Sequence, residues 1–270
     1  MLNVYEKYLR IWWISIAWLF FATISVLRMS ESTAAKTEVI WLGTWQQLAK
    51  LSQADLTLSI GVNVLQPLTV VRNLGVYIDE HLSMEANAHH CAKTCFFHLR
   101  RIRQLRRHVD YDTLYTLIRA LILSRLDYCI SLFACSSQST LHCLQCVQDA
   151  TARLLCGASA RMHAPPLLKK LHWLPVLSRI QFKLCTLMFE INHGSAPQYL
   201  SEVVRRCDDT RLRSNMRGNF VVSCTRLHIS DKAFSIAGPR AWNALPSDIK
   251  LISTRTSFRK KLKTHFSSLI

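Results

Sequence analysis

Glycine is scarce in this sequence, at 7 of 270 residues against a usual share of about 7%. Loops that cradle phosphate need several glycines so that backbone N–H groups can approach an anion. Neither G-x-G-x-x-G nor G-x-x-x-x-G-K-[ST] occurs, which argues against a nucleotide-binding fold. Acid is scarce too, with 17 Asp plus Glu against 34 Lys plus Arg. Half of the residues are hydrophobic, so the chain has ample material for a core and is not a disordered solvating tail. No N-x-[ST] sequon is present, and the ten cysteines are scattered through apolar stretches. Used this way, Cys is a small buried hydrophobe in a reducing, intracellular compartment rather than half of a disulfide framework.

The net charge of +17 is unevenly spread. Residues 1–90 carry six bases and seven acids, whereas 91–270 carry 28 and 10, a net of +18. A basic stretch that is also apolar suggests a folded surface facing a polyanion, with nucleic acid ahead of anionic membrane. Ile11–Leu27 holds 17 residues without charge, at the short limit for a spanning helix of about 20. Trp12, Trp13 and Trp18 suit an interface, and Lys7, Arg10, Arg28 and Lys36 leave the orientation open. A membrane segment, a buried helix and a leader are the alternatives there.

Val39–Leu42, Leu56–Ile60 and Val70–Ile78 are rich in branched residues, are punctuated by Gly43, Gly61 and Pro67, and read as strands. After His81 the period becomes helical. Leu114, Leu117, Ile118, Leu121 and Ile122 form one apolar stripe behind an Asp110 or Asp112 cap. Leu141, Leu144, Val147, Leu154 and Leu155 form another, stopped near Gly157, and Val176 to His193 a third, ending at Gly194. Arg205–Asn219 reads as a polar linker, and a basic helix near Ser257–Phe266 closes the sequence. The expected fold class is α+β, mainly α.

The strings KTEVIWLG (36–43), VRNLGVYIDEHLSM (71–84), SRLDYC (124–129), LQCVQDATARLL (144–155), LHWLPVLSRIQFK (171–183), GSAPQYLSE (194–202) and KAFSIAGPRAWNALP (232–246) stand in one order. Together they resemble the C-terminal part of non-LTR (LINE-type, jockey-like) retrotransposon reverse transcriptases, from about Leu27 onward. The apolar run gives an expected N-terminal helix (1–28), whose first 26 residues resemble nothing in that family; the resemblance then implies a palm remnant with a primer-grip-like hairpin at Leu74-Gly75 (29–82). A thumb-like helical region (83–204) and a basic C-terminal module (205–270) would follow.

The departure from the family is chemical. Its polymerase carboxylates, which hold two metal ions, lie upstream of the Lys36 motif in a Tyr-x-Asp-Asp hairpin and an earlier strand. Here that region is apolar and contains no Asp; Asp208-Asp209 sits in the polar stretch instead. The expectation is an inactive fragment with no catalytic residues, cofactor, metal or small-molecule substrate. A membrane-anchored remnant is the alternative, as is the tail of an intact polymerase if a Tyr-x-Asp-Asp lies upstream in frame.

What remains is binding. FFHLRRIRQLRRHV (96–109) sets Arg100, Arg103 and Arg107 on one helical stripe with Arg101 and Arg106 beside it, and Leu99, Ile102 and Leu105 on a buried side. Arginine forks suit phosphate, so the expected partner is the backbone of RNA or an RNA–DNA duplex, bound weakly and without sequence preference. RTSFRKKLKTH (255–265) adds Arg259, Lys260, Lys261 and Lys263 around a Phe258, Leu262, Phe266 stripe; phosphate binding, membrane attachment and a plain surface helix all fit it. The Cys and His of 90–98 and 142–146 read as helix packing rather than as a zinc site. Trp173 with Pro175 and Trp242 with Pro246 read as core corners.

Overall fold

The protein was analysed as a computed structural model, which describes residues 25–27, 38–50, 58–60, 63–207, 218–226 and 228–269. Its architecture is mainly helical, with three two-stranded antiparallel sheets in the first third. β1 (Ser25–Leu27) pairs with β2 (Glu38–Ile40), β3 (Leu58–Ile60) with β4 (Asn63–Leu65), and β5 (Val70–Asn73) with β6 (Val76–Asp79). The end of the apolar run is thus a strand and not a helix, because its backbone groups pair with β2, Val26 opposite Val39. Residues 11–24 of that run lie outside the described residues, as do Lys36 and Asp208-Asp209. Among the described residues no helix is long and apolar enough to cross a membrane.

The branched run Val70–Ile78 folds back on itself. Leu74 (φ +47°) and Gly75 (φ +84°) form a two-residue loop with both residues left-handed, the backbone twist that suits a tight hairpin. Gly75 adopts it freely, whereas Leu74 is held there from outside: the Tyr128 hydroxyl donates to its carbonyl at 2.6 Å. Asp79 then closes the hairpin onto the first long helix. Its carboxylate accepts from the backbone N–H groups of Ser83 (2.7 Å) and Met84 (2.9 Å), satisfying donors that a helix start leaves open.

A short helix α1 (Trp45–Leu48) follows β2, and the helical body begins with α2 (Glu85–Leu105). Next come α3 (Tyr111–Ile118), a π turn (Arg119–Leu123) and α4 (Ser124–Asp127). Asp110, the nearer of the two expected caps, accepts from Thr113 N–H and starts α3. α5 (Gln138–Cys156) ends at Gly157, whose φ of +69° is the left-handed stop that the sequence predicts. α6 (Ala164–Lys170), α7 (Val176–Asn192) and α8 (Gln198–Val203) complete this part.

The rest comprises α9 (His228–Asp231), α10 (Phe234–Asn243), α11 (Ser247–Lys250) and α12 (Arg255–Ser268). The polar stretch 205–219 is not a free linker at its edges. Arg206 bridges Phe220, and Cys207 N–H donates to Asn219 O at 3.2 Å. One apolar cluster runs from Ile40 and Val71 through α2, α5 and α7 to Phe258, Leu262 and Phe266 of α12. Trp173 and Trp242 belong to it, as core corners should.

Several of the seven strings hold one another directly. Gln145 of α5 accepts from Val176 N–H (2.9 Å), and Gln148 donates to Leu174 O (2.8 Å), so two glutamines one turn apart clamp the backbone on both sides of Pro175. Asp127 forms a two-pronged ion pair with Arg179. Lys232 Nζ reaches back to Leu82 O at 2.7 Å. Asn243 exchanges two hydrogen bonds with the backbone of Phe220, while the Trp242 indole N–H donates to Gly218 O at 2.9 Å. Close approach does the rest at Gly238, where a Cβ would stand 2.9 Å from Met188 Sδ between α10 and α7.

Candidate nucleic-acid interface

α2 divides cleanly into two faces. Ala88, Ala92, Cys95, Leu99 and Ile102 are buried, packed on α5 and β6. The opposite side carries Lys93, Phe96, Phe97, Arg100, Arg101 and Arg103, all exposed. Spacings of three and four residues put these side chains on neighbouring turns of one surface.

Three details differ from the sequence expectation. The helix stops at Leu105, so Arg106 is its cap and Arg107 lies in the following turn rather than on the stripe. Leu105 is 48% exposed instead of buried, because the alternating steps of four and three from Ala88 to Ile102 continue to position 106 and leave Leu105 on the flank. Arg106 is engaged there: its guanidinium lies so close to Gly157 that a Cβ on that glycine would sit 2.3 Å from Nη2. A cation at the carbonyl end of α5 is well placed electrostatically. Arg106 therefore braces the scaffold, while Arg100, Arg101, Arg103 and Arg107 face outward.

The local field on this face is positive. His98 has its pKa lowered, first by burial and then by the charges of Arg125 and Arg101. Arg125, presented from α4, thus belongs to the same neighbourhood, and sequence spacing could not have placed it there. None of the ion pairs among the described residues engages Arg100, Arg101, Arg103 or Arg107. Arg101 instead lies 5.3 Å from the ring centre of Phe97.

The second basic group stands on a different support. Arg259, Lys260, Lys261 and Lys263 are exposed on α12, whose Phe258, Leu262 and Phe266 are buried against the body. α12 packs on α7 and α11, whereas α2 packs on α5 and β6, so the two arrays stand on different supports. Arg259 also rests near the Phe182 ring, and Arg255 pairs with Glu190 at 2.7 Å. Leu74 and Gly75 are exposed at the hairpin tip, tied to the helical body through Tyr128.

Cysteine and histidine meet in pairs rather than in clusters. Cys146 Sγ lies 3.4 Å from His142 Nε2, and Cys143 Sγ lies 3.9 Å from His89 Nδ1. Among the described residues no three His, Cys, Asp or Glu side chains converge as a metal site would require. The Cys91 thiol is shifted down by a hydrogen bond with Cys95, against burial and with help from Arg125. Burial pushes Cys185 up to about 12.

The sequence reading assigned the arginines of α2 but overlooked Lys93, Phe96 and Phe97. The signal was present: Phe96 and Phe97 precede Arg100 and Arg101 by four residues each. No family model, curated protein or solved structure matches the chain.

Proposed function

We propose that this chain derives from the C-terminal part of a non-LTR retrotransposon reverse transcriptase and binds nucleic acid through the solvent face of α2. The observation carrying the binding is the exposed row Lys93, Arg100, Arg101, Arg103 and Arg107, free of acidic partners among the described residues. A buried stripe anchors α2 to α5, so Lys93, Arg100, Arg101 and Arg103 are presented on a rigid element at helical spacing, with Arg107 in the turn that follows. Arginine forks on such a row suit phosphate oxygens and carry no sequence information. The seven ordered strings support the family origin, and their mutual hydrogen bonds support their belonging to one folded unit. The helical body from α2 to α8 takes the part of the thumb, and the Leu74-Gly75 hairpin that of the primer grip.

Binding of RNA and RNA–DNA duplex is expected to fall steeply with salt, because each neutralised phosphate releases counterion. Arg100→Gln, Arg101→Gln and Arg103→Gln combined should weaken binding and lower the log–log salt slope by roughly one for each lost contact. His98 supplies an independent readout. A phosphate near Arg101 would raise the lowered His98 pKa, visible in an NMR titration of its ring protons. Absence of binding at low salt, with an unmoved His98, would overturn the reading.

A further inference from the structure

Resting on that reading, we infer that the α2 face takes a single strand, with unpaired bases stacking on Phe96 and Phe97 while the arginines hold the phosphates. Phe96 is 39% and Phe97 52% exposed, although both sit on a helix with a fully formed buried side. Two adjacent phenylalanines left in water make an exposed apolar patch, and neither side chain is in the buried core. Their neighbours are cations on the next turn, Arg100 after Phe96 and Arg101 after Phe97. Arg101 already lies over the Phe97 ring at 5.3 Å.

This is the combination that grips single strands: a π-surface for a base, and a guanidinium one turn away for its phosphate. A duplex presents phosphates to the arginines but keeps its bases stacked on one another, so it gains nothing from the rings. The charge of the face fits any polyanion; the aromatic pair selects for accessible bases. RNA and DNA strands share that chemistry.

The test uses the full chain and fluorescently labelled oligonucleotides of equal length: single-stranded RNA, single-stranded DNA, RNA–DNA duplex, and a strand of abasic sites with equal charge. The parent protein should prefer either base-bearing strand over the abasic one by about tenfold. Phe96→Ala with Phe97→Ala should erase that preference and leave duplex affinity unchanged, since both side chains are exposed and their loss spares the core. Phe97→Tyr should retain the preference. Equal affinity of the parent for abasic and base-bearing strands would overturn stacking while leaving phosphate binding standing. So would an equal loss on duplex and single strand in the double variant. Failure of the parent to bind any oligonucleotide would overturn the phosphate-binding reading, and stacking with it.

Discussion

Gln148 shows how much one side chain can hold. It is fully buried (0% exposed) in α5, spends its amide N–H on Leu174 O, and leaves Oε1 without a partner. Gln148→Ala would open a cavity and orphan the Leu174 carbonyl, so a loss of about 2–4 kcal/mol is expected in urea unfolding. Gln104→Ala, on the exposed face of α2, should stay within about 0.5 kcal/mol. Thiol chemistry separates the cysteines in the same way. Cys91, with its pKa lowered by the Cys95 hydrogen bond, should be alkylated ahead of the buried Cys95, and Cys185 should resist until the protein unfolds. Mass spectrometry of partially modified protein checks the order; early labelling of Cys185 would show that α7 opens locally.

Among the elements, those with strong periodicity are legible in the sequence. The stripes of α5 and α12 are buried as spaced, Asp110 caps α3, and Gly157 and Gly194 follow α5 and α7 with positive φ. The departures have separate causes. Leu105 stands three residues after Ile102, but the alternating steps of four and three from Ala88 to Ile102 continue to 106 and leave it on the flank. The polar stretch before Asn219 looked like a linker because polar residues carry no periodic signal, yet Trp242 and Asn243 pin its far end through backbone groups. At the candidate interface the charges were legible and the rings were not, since Phe is ordinarily assigned to a core. The β5–β6 hairpin yields a sharper test. Gly75→Ala places a side chain at φ +84° and should cost about 1 kcal/mol or more. Tyr128→Phe removes the hydroxyl that holds Leu74 and should cost about 1 kcal/mol. Acting on one turn, the two losses should be non-additive in thermal melts.

For the whole molecule, two arrays stand out within the excess charge of residues 91–270, on α2 and on α12, and alkaline stability adds a test of the core that joins them. Cys185, raised to about 12 from an ordinary 9.0, keeps its proton in the fold after the unfolded thiol has lost it. Its stabilising contribution is complete below pH 9 and is lost as pH rises toward 12, at no more than about 1.4 kcal/mol per pH unit. Lys232, lowered by burial against the pull of Asp79, acts oppositely, its penalty easing as pH climbs toward 10.5. Cys185→Ala should therefore flatten the alkaline fall in unfolding free energy, and Lys232→Met should steepen it. These side-chain clasps onto the backbone have a consequence of another kind. Tyr128, Gln148, Lys232 and Trp242 each donate to a main-chain carbonyl, not to a side chain. The receiving positions, Leu74, Leu174, Leu82 and Gly218, offer that acceptor whatever their side chain. A genetic screen for suppressors of a lost donor should thus find no compensating exchange at the receiving residue, and any rescue must come from elsewhere in the chain.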